Sequence, residues 1–220
     1  MSLVVILPVK RFDRAKARLG EGGLRASDRV ALATGMLTDV LGALRQARNV
    51  DDVVVVTSEP AAELIARGCG AQVIPDDEQG GHSEAAQIGA TWAIEQGAFH
   101  ALMLCGDAPL LDPLEIDALL HDLADGPEVV VVPDRHGSGT NALLLTPPDV
   151  IAPSFGSGSR ERHERLGHDA GATVRVETPA SLTLDVDTMQ DLDALRAALE
   201  QAPAGVAAHT RDALAMVQRA

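Results

Sequence analysis

At 220 residues, 46% apolar and 23% charged, the chain has an ordinary globular composition and enough length for one substantial core. A formal net charge of −14 repels nucleic acid, and 2% aromatic residues leave almost no stacking surface for single strands, so no DNA or RNA partner is expected. Two cysteines fit a reduced compartment, no apolar run nears the ~20 residues of a membrane span, and Met1 to Leu7 enters a strand pattern with no leader, so a cytoplasmic protein without a membrane partner is expected.

Leu3-Val-Val-Ile-Leu7 is a continuous apolar run, the pattern of a parallel strand buried on both faces. A cationic loop follows, and from Ser27 to about Ala47 the apolar positions keep helical spacing. Val53 to Val56 is a second strand, Pro60 to Arg67 a helix closed by Gly68, Ala71 to Ile74 a third strand, and His82 to Glu95 a helix stopped by Gly97. Ala101 to Leu104 is a fourth strand ending at Cys105-Gly106-Asp107. Asp112-Pro-Leu-Glu115 predicts a helix opened by a capping box, with Pro at its first position. Glu128 to Val132 and Ala142 to Leu145 are further strands, Ser159 to about Gly167 a helix, and Thr173 to Glu177 a strand. Leu182 to Asp187 is strand-like and leads into Thr188-Met-Gln-Asp191, a second capping box before a helix to about Glu200. Ala202 to Ala208 is a small-residue linker, and Thr210 to Arg219 an amphipathic tail helix, a candidate homodimer surface.

This alternation predicts a single-domain, three-layer α/β fold with a mainly parallel, Rossmann-like sheet over residues 1–201, with linker and tail helix over 202–220. Ligands of such folds bind where loops leave the carboxyl ends of strands, here after Leu7, Leu104 and Leu184.

Both lysines of the chain, Lys10 and Lys16, fall in the first of these loops, together with Arg11, Arg14 and Arg18. A cationic loop on an acidic protein points to an anionic ligand. Lys10, Lys16 and Arg18 suit a triphosphate, although no Walker A and no complete G-x-G-x-x-G pattern follows this strand. Gly106-Asp107-Ala-Pro109 places a carboxylate at a strand end, where Mg2+ is commonly held by one or two carboxylates plus phosphates. In Leu184-Asp185-Val-Asp187-Thr188 the two aspartates lie two apart and in extended chain point the same way. Thr188 is the better helix cap, which frees a carboxylate for metal. Phe155-Gly156-Ser-Gly158-Ser159 opens a helix whose free N–H groups suit an anion, and Gly139-Thr140-Asn141 either lines the same pocket or makes a turn. The seven histidines show no zinc spacing, and His163 stands out only for lying beside the glycine loop.

The ordered set Pro8-Val-Lys10, Ala15-Lys-Ala-Arg-Leu19, Ala31 to Val40, Gly106-Asp107-Ala-Pro-Leu110, Gly139-Thr-Asn-Ala-Leu143, Phe155-Gly-Ser-Gly-Ser159 with Arg162-His163, and Leu184-Asp-Val-Asp-Thr188 resembles one family. It is the 2-phospho-L-lactate, phosphoenolpyruvate or 3-phosphoglycerate guanylyltransferases of coenzyme F-420 biosynthesis. The resemblance implies a glycosyltransferase-A-like nucleotidyltransferase fold, GTP as co-substrate, and Mg2+ held by Asp107 and the Asp185/Asp187 pair. It also implies that Thr140, Gly156 and Ser159 hold a phosphorylated three-carbon acid, with Asn141 and Gly158 alongside. One departure is Gly81-His82-Ser83, where the family usually carries Gly-Leu-Asn before its third helix.

The expected reaction is in-line attack by the acid's phosphate on the α-phosphorus of GTP, with loss of pyrophosphate. A phosphate monoester has a second pKa near ~6, so no general base is required at neutral pH. The alternatives are another acceptor, such as a molybdopterin or a sugar phosphate, and a non-catalytic nucleotide-binding module.

Overall fold

The computed structural model describes residues 2–12, 16–77, 79–121, 123 and 125–217. Arg14 of the cationic loop, Ala15 of the motif that follows it and the tail residues 218–220 lie outside the described residues. The elements in chain order are β1 (Leu3–Val9), α1 (Ala17–Glu21), α2 (Ala26–Leu44), β2 (Asp52–Thr57), α3 (Pro60–Gly68), β3 (Gln72–Pro75), α4 (His82–Glu95), β4 (His100–Leu104), α5 (Pro113–Leu119), β5 (Glu128–Pro133), β6 (Thr140–Thr146), α6 (Ser159–Asp169), β7 (Thr173–Val176), α7 (Met189–Gln201) and α8 (Ala208–Val217).

The strands form one sheet in the order β3-β2-β1-β4-β6-β5-β7. All pairings are parallel except the two made by β6, which runs against both β4 and β5. The pleat sorts the apolar runs onto two faces. Leu3, Val5 and Leu7 join Val55, Leu102, Leu104, Val130 and Leu144 under α2, α3 and α5. Val4 and Ile6 join Val54, Val56, Met103, Val131 and Leu143 under α4 and α6. These are the three layers of the expected α/β fold, and they explain why the strands read as unbroken apolar runs rather than as alternation.

The helix α4 faces the sheet with Ala85, Ala86, Gly89, Ala90 and Ala93. A Cβ on Gly89 would stand 2.3 Å from Ile6 Cγ2, so only glycine lets the helix lie this close to β1. That close packing fixes the first turn of α4 at the carboxyl edge of the sheet. A third cluster joins the outer side of α2 to α1, α7 and α8 through Leu19, Leu32, Met36, Val186, Leu192, Leu195 and Leu214. The tail helix therefore buries its apolar face within the chain. Asp39 of α2 ties down its start, accepting from the Thr210 N–H at 2.8 Å and the Thr210 hydroxyl at 2.7 Å.

Three local expectations come out differently. Leu182 to Asp187 is no strand; it crosses the sheet's edge outside any ladder. Asp112 caps α5 by accepting from the Leu114 N–H, but Glu115 does not complete the box. Its carboxylate accepts instead from the Ala180 and Ser181 N–H groups at 3.2 and 2.8 Å, because that passing backbone has no ladder partner. The five-residue α1 has no counterpart in the sequence reading, since glycines at 20, 22 and 23 hide so short a helix. The Thr188–Asp191 capping box forms as expected. Among the described residues no helix is long and apolar enough to cross a membrane.

Candidate active site

The strand neighbours β1 and β4 end side by side, so Pro8-Val9-Lys10 and Cys105-Gly106-Asp107 leave the sheet together. Because β6 is antiparallel, its start, not its end, lies beside the end of β4. The Cys105 N–H donates to Asn141 O at 3.0 Å, and Thr140 joins the same edge. The side chain of Asn141, 4% exposed, donates to Leu182 O at 2.9 Å, Thr183 O at 3.2 Å and Asp185 Oδ1 at 3.1 Å. One buried amide thus holds the 182–185 segment against the sheet without a strand. Together these loops enclose a cavity of about 590 Å3. Lys10, Lys16, Arg18, Asp107, Thr140, Asn141, Gly156, Ser159, Asp185 and Asp187 all line it. Gly158 does not.

On one side stand three carboxylates. Ligand-type oxygens of Asp107, Asp185 and Asp187 lie within 4.8 Å of one another. The Lys16 ammonium sits among them, in contact with Asp107 and 3.0 Å from Asp187 Oδ1, while Arg18 approaches Asp187 Oδ2 at 4.0 Å. Lys16, expected on a triphosphate, is thus placed on the carboxylates. Burial alone would lower its pKa, but the two aspartates outweigh that and raise it. The same pairing wins for Asp107, where burial pushes up and Lys16 pulls the carboxyl below its usual range. Among the described residues no cation contacts Asp185. Burial and the neighbouring Asp107 push its pKa up to about 6 despite the Asn141 hydrogen bond.

Among the described residues the three carboxylates face Lys16 and, at 4.0 Å, the exposed Arg18, which leaves negative charge uncompensated, and Asp107 Oδ1 is buried without a well-formed hydrogen bond. Both observations fit a hard divalent cation bound by oxygen. The neighbouring Cys105 thiol is raised by burial and by Asp107, and stays protonated.

On the other side stands the glycine loop. Gly158 caps α6 at φ 67° and ψ 21°, a left-handed conformation that places Ser159 as the first helical residue. Ser159 is fully buried and its hydroxyl donates to Thr140 Oγ1 at 3.0 Å. Arg162 is spent on the loop itself, donating to Ser154 O, Ser154 Oγ and Ser157 O at 2.9 Å each. Arg160 pairs with Glu164 at 2.8 Å. Arg162 thus holds the loop, and neither it nor Arg160 lines the cavity.

Ser83, the departure from the family pattern, accepts the Phe155 N–H at 2.8 Å and anchors this loop to α4. It does not line the cavity; His82 does. Burial holds His82 down at about 4, so the ring is neutral, packed edge-on to Phe155 at 4.6 Å. His82 belongs to the Gly81-His82-Ser83 departure, whereas no motif pointed to Phe12, Met36 or His136 as lining residues. These three need the packing of α2 and of the 134–139 turn.

The arrangement brings three carboxylates and a glycine loop to one cavity. Residues 3–200 match the protein family described as Guanylyl transferase CofC like. The chain is 48% identical over 220 residues to the phosphoenolpyruvate guanylyltransferase of Conexibacter woesei, covering 100% of this chain and 98% of that one. It is 36% identical over 197 residues to the enzyme of the same name from Sphaerobacter thermophilus, covering 89% and 93%. A solved structure from Desulfovibrio desulfuricans, provisionally named a nucleotide-diphospho-sugar transferase, superposes with a TM-score of 0.76 at 17% identity, covering 100% and 98%; that likeness concerns the fold.

Proposed function

The chain belongs to the Guanylyl transferase CofC like family, and from that premise we propose that it moves GMP from GTP to a phosphorylated three-carbon acid in coenzyme F-420 biosynthesis, with phosphoenolpyruvate the first acceptor to test. The observation that carries this reading is the meeting of the three carboxylates and the Phe155–Ser159 loop across one cavity.

An oxygen of the acid's phosphate forms a bond to the α-phosphorus of GTP, the bond from that phosphorus to the bridging oxygen of the β-phosphate breaks, and pyrophosphate leaves with the electron pair. The attacking phosphate is already largely dianionic at neutral pH, so no side chain has to remove a proton. This agrees with His82, held neutral on the cavity wall, and with His163, neutral and buried behind the glycine loop. The barrier is mutual repulsion of anions, which positioning and fixed charge reduce. Asp107, Asp185 and Asp187 would hold Mg2+, which when bound neutralises triphosphate charge. Lys10 after β1 and Arg18 in α1 line the cavity where the triphosphate would lie, and Lys16 holds Asp107 and Asp187 beside it. Thr140 and the N–H groups near Gly156 receive the acid, and Ser159 acts through the Thr140 hydroxyl to which it donates. Asn141 acts by holding Asp185, and Gly158 by setting the loop's turn.

Asp107→Ala is expected to abolish pyrophosphate release from GTP and phosphoenolpyruvate; turnover near the wild-type rate would overturn the metal assignment. The acceptor is read from a competition among phosphoenolpyruvate, 2-phospho-L-lactate and 3-phosphoglycerate, with products resolved by mass spectrometry. Pyrophosphate release with none of the three, though GTP binds, would refute the transfer reading.

A further inference from the structure

The acid-facing wall depends on a residue that the chemistry above leaves unused. His163 lies in the second turn of α6 with 0% exposure. Its Nε2 stands 2.9 Å from the Ser154 N–H. A backbone N–H can only donate, so Nε2 is the acceptor and the ring's proton is on Nδ1. Burial, with Arg162 second, holds the ring's pKa down at about 4, which keeps this single neutral tautomer. Nδ1 stands 3.1 Å from Thr140 Oγ1, so the ring donates to that hydroxyl. Ser159 Oγ donates to the same oxygen at 3.0 Å. Two donors occupy both lone pairs of Thr140, and its own hydrogen can then only be given away, into the cavity that Thr140 lines.

From this geometry we propose that His163 is the positioning residue of the acid subsite: it makes the Thr140 hydroxyl an obligate donor, so that the subsite accepts an anionic oxygen and rejects any group that has to donate there. This rests on the reading that Thr140 faces the acid. The same ring braces the loop from behind, edge-on to Phe155 at 5.2 Å, while Ser83 holds the Phe155 N–H. A short chain from the Ser154 backbone through imidazole and hydroxyl thus transmits a fixed polarity to the substrate. Without His163, Thr140 would rotate freely between donor and acceptor roles.

The experiment is steady-state pyrophosphate release by the full chain, with phosphoenolpyruvate varied at saturating GTP and then the reverse. Thr140→Val and His163→Leu are each expected to raise KM for phosphoenolpyruvate about tenfold or more, the size of a lost hydrogen bond to a charged group. KM for GTP stays within about twofold, and the double variant is no worse than Thr140→Val alone, because both act through one hydroxyl. His163→Asn, whose amide N–H takes the place of Nδ1–H, restores most of the loss. His163→Gln, whose amide reaches toward Ser154 instead, does not. An effect of Thr140→Val with none from His163→Leu, or additive losses in the double variant, would overturn the positioning role. An unchanged KM in Thr140→Val would instead refute the acid-subsite reading, and the relay with it. Should His163→Leu lose its fold by circular dichroism, the Asn and Gln variants decide alone: equal KM values in both would sink the proposal.

Discussion

At the scale of single residues, the carboxylate cluster is held together by Lys16, whose side chain is 6% exposed against 24% and 48% for Asp107 and Asp187. Lys16→Met leaves those charges facing one another. The expected cost in EDTA is about 1–3 kcal/mol, below that of a fully buried pair because the carboxylates are partly solvated. Mg2+ should recover more stability in this variant than it adds to the wild type, since ammonium and cation share one cluster. Equal responses to Mg2+ in urea unfolding would contradict that sharing.

The neutral imidazoles set a pH window. His82 and His163 are held near 4, below the ordinary 6.5, so the unfolded chain binds more protons than the folded one between those values. Their contribution is complete above about pH 6.5 and is lost as pH falls toward 4, at most on the order of 3 kcal/mol each. Asp185, raised to about 6 from 3.8, works in the opposite direction, its stabilisation being lost as pH rises through 6. Urea midpoints between pH 7 and 4.5 should therefore fall with acid, and fall more steeply in Asp185→Asn. A flat profile would mean that neither ring is buried neutral. The residue types of this site were plain in the sequence: Asp107, Asp185, Asp187, Thr140 and Ser159 are named by their motifs. Lys16's position among carboxylates, and the hydrogen bonds by which Asn141 clamps the 182–185 segment, were not, because a side chain's partner depends on backbone far away in sequence.

At the scale of elements, a strand's direction decides which of its ends reaches the site. The parallel β1 and β4 contribute the loops that follow them, whereas β6 contributes its first residues. Apolar runs do not reveal direction, so Thr140 and Asn141 could equally have made a turn. The capping signals fared according to their surroundings: Thr188–Asp191 closed on itself, while Glu115 was drawn to the unladdered backbone at 180–181. The tail helix is a similar case. Its amphipathic pattern announced a buried face but not the surface that covers it, which is α2. Asp39→Ala removes the acceptor that caps α8 and is expected to cost about 1–2 kcal/mol. Kinetic constants for GTP and acid should stay unchanged. Wild-type stability in denaturant melts would show that the cap contributes nothing.

At the scale of the whole molecule, α2 connects the sheet's core, the cavity and the tail helix. Its inner face joins the sheet's core and its outer face carries α8, while Met36 and Leu37 line the cavity. A chain ended at Gln201 would expose Leu32 and Met36 to water. It should melt at least roughly 5 °C lower than the full chain, and its KM for GTP should rise as the cavity wall loosens. An unchanged melting temperature would make the tail an appendage rather than part of the core.

The order of strands and helices, the three layers, the acidic metal-type edge and the glycine loop were determined by the sequence alone, because each rests on local periodicity, capping or residue type. What only the tertiary structure decided was how these parts meet: the antiparallel β6, the strandless 182–187 segment clamped by Asn141, Lys16 among the carboxylates, and Ser83 and His163 bracing the loop that Thr140 faces. Except for His163 against the loop just before its own helix, each is a contact between residues far apart in the chain. Pattern within a window of ten or twenty residues specifies elements, and only close packing of the whole chain selects their partners.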